Sequence, residues 1–289
     1  MKKTISVIGG DLRALTLAGL LAEDGYSVRI FGFDKDIDTA GLTKAKNMHD
    51  ALMAEVIILP IPASSDNVTI NAPYAKEQLL LDDFLAMIGA TKLVLAGHIP
   101  PAVAVRFDRE GIAYIDYYNR EELMVKNAVP TAEGAIGIAL SEMPVTLSGA
   151  EALVIGYGRI GKILTKLLTA LGAKVTVSAR RWGDLAWIEG SGARAVNTAK
   201  IADGIELYDV IFNTVPSLVL GENELAAMNK NTLIIDLASV PGGVDLETAK
   251  SLKRRVIWAL SLPGKTAPIS AGRIIKDTVK NILSELEVG

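Results

Sequence analysis

The sequence predicts an α/β protein of two doubly wound, mostly parallel sheets, and three observations carry that prediction. Short apolar runs alternate with helix-period segments along almost the whole chain, the pattern of parallel strands joined by crossover helices. The alternation occurs twice, on either side of a proline-led segment near residue 130. Residues 153–181 then read as strand, glycine turn, helix, glycine stop and second strand, ending in two arginines. With 289 residues, 50% of them hydrophobic and 22% charged, the chain can fill two ordinary cores.

In the first domain, residues 1–128, strands are expected at 5–8, 27–31, 56–59, 92–96 and 112–115. Between the first two, Leu15, Ala18, Gly19 and Ala22 fall at helical spacing within residues 12–24, and Gly25 supplies the stop. Residues 61–78 are rich in Pro, Ser, Asn and Asp without periodicity, which predicts a long loop; loops of that length are usually functional or mobile. A helix opened by Pro130 and halted by Pro144 is expected to connect the domains over residues 129–144.

The second domain, residues 145–267, offers strands at 152–155, 174–178, 209–213, 232–236 and 255–258. A last helix over 270–287 puts Ile274, Ile275, Val279, Ile282, Leu283 and Leu286 on one face. By analogy with two-domain dehydrogenases it returns to the first domain, adding residues 268–289 to it and leaving a cleft between the domains.

Composition excludes whole classes of function. The chain has no cysteine, which removes disulfides, thiolate nucleophiles and cysteine-based zinc sites. Only His49 and His98 offer imidazole, and no carboxylates fall at metal-ligand spacing, so no catalytic metal is expected. A net charge of -3 without a basic stripe argues against nucleic acid. The charged start at Met1 is broken by Gly9 and Gly10 and reads as a first strand rather than a signal peptide. No run reaches the about 18 apolar residues of a membrane span, and a cytoplasmic protein is expected.

The strongest motif is Val154-Ile-Gly-Tyr-Gly-Arg-Ile-Gly161. Gly156 makes the tight turn, Gly158 lets backbone approach a pyrophosphate, and Gly161 lets the helix pack on the strand, with Tyr157, Arg159 and Ile160 beside the cofactor. This makes the second domain Rossmann-like and dinucleotide-binding. Where an acid would hold a free ribose 2′-hydroxyl, the chain has Ser178-Ala179-Arg180-Arg181. Guanidinium groups pair with a 2′-phosphate, which favours NADP over NAD. Thr214, Val215, Pro216 and Ala238 follow later strands on the carboxyl edge and are expected to flank the cofactor, with Ser239 beside the substrate. In the first domain the corresponding string is Gly9-Gly-Asp-Leu-Arg-Ala14, with Asp11 in place of the second glycine. A carboxylate there repels a pyrophosphate, so the first domain is Rossmann-like in shape without a dinucleotide.

Candidates for chemistry are few. His98, at the end of the fourth strand, is a candidate proton acceptor or a hydrogen-bonded structural histidine. Lys265 either holds a substrate carboxylate or is an exposed loop lysine. Asp11 and Arg13 are expected to face the substrate, where Arg13 could bind an anionic group or pair with Asp11, and Thr131 and Glu133 could face substrate or cap the connecting helix.

Taken together, Gly9-Gly-Asp-Leu-Arg13, Pro130-Thr-Ala-Glu-Gly134, the Val154–Gly161 string, Asp236-Leu-Ala-Ser-Val-Pro-Gly-Gly243 and Leu262-Pro-Gly-Lys-Thr-Ala-Pro268 resemble the dipicolinate synthase A-subunit family of spore-forming bacteria over essentially the whole chain. The resemblance implies oxidation of a dihydrodipicolinate-type substrate, branching from lysine biosynthesis, to pyridine-2,6-dicarboxylate in the mother-cell cytoplasm during sporulation. It also implies the flavoprotein-like B-subunit of dipicolinate synthase as partner; homo-oligomerisation stays open. Two other readings stand beside it: a non-catalytic NADP-binding protein that positions a catalytic partner, and a dehydrogenase of small 2-hydroxy or amino acids. The latter lacks its usual histidine near the end of the second domain, where this chain has Ser261, Lys265 and Thr266.

Overall fold

The computed structural model describes residues 3–35, 37–89 and 92–288. Met1 and Lys2, the charged start of the chain, lie outside the described residues. The chain divides into two compact units, Met1–Asn127 with Ala267–Gly289, and Ala128–Thr266.

The first unit runs β1 (Thr4–Ile8), α1 (Leu12–Glu23), β2 (Ser27–Phe31), β3 (Thr43–Lys44), α2 (Met48–Ala51), β4 (Val56–Ile58), β5 (Thr69–Ile70), β6 (Leu79–Leu80), α3 (Leu81–Met87), β7 (Leu93–Ala96), α4 (Pro101–Arg109) and β8 (Ala113–Asp116). Its main sheet is parallel in the order β3-β2-β1-β4-β7-β8, with the strand order reversing between β1 and β4. Side chains alternate across that sheet. Ile5, Val7, Ile30, Val56 and Ile58 enter one core, while Ile8, Ile57, Val94 and Ala96 enter the other. Burial on both faces makes such strands continuously apolar, which is why they read clearly in the sequence.

A single helix, α5 (Glu121–Glu142), follows and contains Pro130 in its interior. The expected start at Pro130 is therefore corrected: Glu121 and Glu122 occupy the first turn, where acidic groups suit the positive end of the helix. Thr131 and Glu133 consequently lie well inside the helix and are not its caps.

The second unit comprises β9 (Glu151–Ile155), α6 (Arg159–Ala170), β10 (Lys174–Ala179), α7 (Trp182–Gly190), β11 (Arg194–Asn197), β12 (Val210–Asn213), α8 (Glu222–Ala227), β13 (Leu233–Asp236), α9 (Leu246–Ser251), β14 (Arg255–Trp258) and α10 (Leu262–Thr266). Its parallel sheet is ordered β11-β10-β9-β12-β13-β14, the same doubly wound topology as the first. Three details differ from expectation. The edge strands β3 and β11 add to the expected strands, β5 forms within the expected long loop and pairs antiparallel with β6 just after it, and α10 is helical in place of a connecting loop.

The last helix, α11 (Pro268–Val288), packs in the first unit, placing Ile275, Val279, Ile282 and Leu283 in the core against α1. Lys280 donates to Asp24 at 2.6 Å, and this hydrogen bond holds the Asp24 carboxyl below its usual range. At Gly272 a Cβ would stand 2.6 Å from Thr16 Cβ and 2.7 Å from the Arg13 carbonyl oxygen. Gly272→Val is therefore expected to lower the unfolding free energy by about 1–3 kcal/mol in a urea titration; an unchanged midpoint would show that the two helices separate without cost. Among the described residues no helix is long and apolar enough to cross a membrane.

Candidate functional site

In the second unit a cavity of about 880 Å³ opens at the carboxyl edge of the sheet, the size of a small-molecule site. Its wall is built from four strand ends: Gly156–Gly158 after β9, Ala179–Arg181 after β10, Asn197–Ala199 after β11, and Thr214–Val219 after β12. The three fingerprint glycines behave differently from one another. Gly156 has φ +97°, donates its N–H to Ser178 O at 3.0 Å, and leaves only 2.5 Å between a Cβ and Thr214 Oγ1. Gly161 sits beneath the turn, where a Cβ would lie 2.0 Å from the Gly156 carbonyl oxygen. At Gly158, by contrast, a Cβ would meet nothing within 4 Å. The protein's own packing explains Gly156 and Gly161, while the space in front of Gly158 is open. These residues fit a dinucleotide.

Arg180, Arg181 and Asp184 all reach the cavity wall. None of the three side chains forms a hydrogen bond or ion pair within the protein among the described residues, although opposite charges stand on one wall.

The corresponding turn of the first unit is closed. The Gly9 N–H donates to Phe31 O at 2.8 Å, as that of Gly156 does to Ser178 O, so the two turns share their backbone plan. Asp11 then caps α1 and accepts from Arg13, Nε to Oδ1 at 2.9 Å and a terminal nitrogen to Oδ2 at 2.8 Å. Arg13 also donates to Ile61 O at 2.7 Å. Of the two readings of Arg13, the ion pair with Asp11 is the one present, so its charge is neutralised internally. The segment around residues 70–79 covers the rest: Gly10 N–H donates to Asn71 O at 2.8 Å, and Tyr74 O accepts from both Asp34 and Lys35. That segment is fixed by Asp66, whose carboxylate accepts from the N–H groups of Thr69 and Val68 and is held well below the usual carboxylate range by them.

Known proteins share both halves of this arrangement. Residues 4–118 match the model of the N-terminal domain of the dipicolinate synthase A-subunit, and residues 106–247 match that of the D-isomer specific 2-hydroxyacid dehydrogenase NAD binding domain. The dipicolinate synthase A-subunit of Bacillus subtilis (strain 168) is 31% identical over 98% of this chain and 96% of that protein. The chain belongs to the dipicolinate synthase A-subunit family. Crystal structures of such subunits superpose closely: that from Bacillus halodurans at TM-score 0.90 and 31% identity, covering 97% of each chain, and that from Bacillus subtilis at TM-score 0.90 and 30% identity, covering 100% of this chain and 98% of that one. The second unit of this family member is thus a dehydrogenase-like, NAD(P)-binding Rossmann domain.

The other residues expected to serve a dipicolinate synthase fall in several places. Tyr157, Thr214, Val215 and Pro216 line the cavity, whereas Arg159 and Ile160 lie in the first turn of α6, off its wall. Ser178 is fully buried, and its hydroxyl accepts from Thr198 Oγ1 at 3.3 Å, so it shapes the site from beneath. Ala238 is corrected as a wall residue: it is buried and gives its N–H to Asp236. Ser239 is exposed in the turn closed by Gly242 N–H to Ser239 O. Lys265 is exposed on α10 and has no ion-pair partner among the described residues. His98 is exposed at φ +51°, with its N–H given to Asp116 at 2.9 Å and its ring edge-on to Tyr118 at 5.3 Å. Sequence reading missed Asp184, Asn197–Ala199, Ser217–Val219, Gly221 and Glu224. The second and third of these follow strand ends on the same edge, and assigning β11 would have placed Asn197 there by the rule that parallel strands present their carboxyl ends together.

Proposed function

We propose that this chain is an NADP-dependent oxidoreductase that converts a dihydrodipicolinate-type substrate to pyridine-2,6-dicarboxylate during spore formation. One observation carries the cofactor reading: at the end of β10 an alanine, Ala179, stands where an acid would hold a free 2′-hydroxyl, and the unneutralised Arg180 and Arg181 follow on the cavity wall. Such guanidinium groups pair bidentately with a phosphate. The names of its relatives and the 2-hydroxyacid dehydrogenase likeness of the second unit support the oxidoreductase reading.

When bound, the cofactor supplies the hydride acceptor. The substrate loses one hydride from a ring carbon and one proton, yielding an aromatic ring, NADPH and H⁺. Aromatisation favours this step, so a weak base suffices and water takes the proton. Lys265 and Ser239 hold the substrate carboxylates. That the relatives are named as one lettered subunit of a synthase supports a second subunit as partner, which the family resemblance implies to be flavoprotein-like.

Mixing the purified chain, NADP⁺ and freshly generated dihydrodipicolinate, with and without that partner, tests the reading. NADPH and pyridine-2,6-dicarboxylate are expected in equal amounts. If neither forms with both proteins present, the oxidoreductase reading fails; if NADPH forms with the chain alone, a purely scaffolding role is excluded.

A further inference from the structure

We propose that Asp184 is a specificity-determining residue of the cofactor cavity, tempering its preference for a 2′-phosphate so that NAD is accepted beside NADP. The proposal rests on the reading that Arg180 and Arg181 face the 2′ end of a bound dinucleotide.

Asp184 is the third residue of α7, and it contributes to the same cavity wall as the two arginines. An acid next to two cations ordinarily pairs with one of them, as Asp11 does with Arg13. Here neither arginine is tied to Asp184, and all three groups stay free to face a ligand among the described residues. The two arginines favour a phosphomonoester, which carries about -1.5 to -2 charge near neutral pH. A carboxylate at the same end opposes that charge and accepts a hydrogen bond from a free 2′-hydroxyl. Ala179 cannot do so, and Asp184 is the cavity-lining acid that lies close in sequence to the arginines. The cavity thus has a mixed-charge end in which each form of the cofactor finds one complementary group.

Equilibrium titration of the full chain with NADPH and with NADH, followed by nucleotide fluorescence, tests this without needing substrate or the partner protein. Asp184→Asn and Asp184→Ser are each expected to raise the ratio of NADPH to NADH affinity by about tenfold at low salt, less at high salt because screening weakens the interaction. Both variants remove the charge while differing in shape, so agreement between them assigns the effect to charge. A ratio within about twofold of the parent in both variants overturns the proposal. The double variant Arg180→Ala/Arg181→Ala separates this failure from that of the underlying reading: it is expected to weaken NADPH selectively. If it lowers NADPH and NADH affinity equally, the placement of the 2′ end is wrong; if it acts selectively while the Asp184 variants do not, only the role of Asp184 falls.

Discussion

Replacing Gly158 by aspartate is expected to lower NADPH affinity by about a hundredfold or more while leaving the melting temperature unchanged or slightly raised. The chain itself supplies the model for this variant. Asp11, at the matching turn of the first unit, is the N-cap of α1 at φ -104° and ψ -161°, and Gly158 is the N-cap of α6 at φ -81° and ψ -160°. Aspartate therefore fits the backbone of Gly158 without strain, and a Cβ there meets nothing within 4 Å. Aspartate is also a better N-cap than glycine by a few tenths of a kcal/mol. The loss falls on the ligand alone: the new side chain fills the space in front of the turn and sets a carboxylate against two phosphates. Like charges about 4–5 Å apart repel by several kcal/mol at an effective dielectric of about 20. A fluorescence titration and a thermal melt on the same preparation decide the matter. Affinity within about threefold of the parent would place the pyrophosphate elsewhere. A fall in melting temperature of more than about 5 °C would show that Gly158 is required by the fold.

The contrast between the two turns also shows how far the sequence could be read. Gly156, Gly158 and Gly161 announce a nucleotide turn because each answers a different steric demand within a short stretch of chain, and Asp11 announces a damaged one. The central strands are legible because burial on both faces makes them apolar runs, as in Val56–Ile58 and the Leu233-Ile-Ile235 part of β13. Edge strands carry no such signal. Thr43–Lys44 is wholly exposed and Arg194–Asn197 only partly covered, so their residues look like loop. What the Arg13 side chain does is not legible at all, since pairing with Asp11 and binding an anion call for the same residue. Nor is the way residues 70–79 lie over the first turn, because that depends on contacts such as Gly10 with Asn71, far apart in the chain and without a composition of their own. Asp184 escapes sequence reading because its position on the cavity wall follows from where α7 begins rather than from any motif.

Asp236→Ala is expected to destabilise the second unit by about 4 kcal/mol or more, and Asp236→Asn by about 2 kcal/mol, in urea titrations of the whole chain. Asp236 is 1% exposed, and the hydrogen bonds its carboxylate accepts come from groups that also lack water. Its Oδ1 accepts from Ala238 N at 3.0 Å and from Asn213 Nδ2 at 2.8 Å, and its Oδ2 accepts from Gly243 N at 2.9 Å. Alanine leaves three buried donors without an acceptor, each at about 1–3 kcal/mol. Asparagine keeps the shape and one acceptor oxygen but turns an N–H₂ toward an N–H, which accounts for the intermediate value. The consequence for function follows from what this knot ties together. Asn213 also accepts from Val215 N and donates to Val215 O, both at 3.0 Å, and Gly243 O accepts from Val219 and Leu220. The wall after β12, residues 214–219, is therefore held from behind by Asp236 through Asn213 and Gly243. Gly243 has no alternative there, since a Cβ would stand 2.2 Å from Asn213 Nδ2. For Asp236→Asn, which still folds, NADPH affinity is expected to fall by about tenfold as that wall loosens. The two variants at this strand end and the one at Gly158 thus report on different things. Gly158→Asp removes affinity without touching stability, whereas the Asp236 variants lose stability first and affinity through it. If Asp236→Ala costs less than about 1 kcal/mol, the buried carboxylate is not what holds the cavity wall in place.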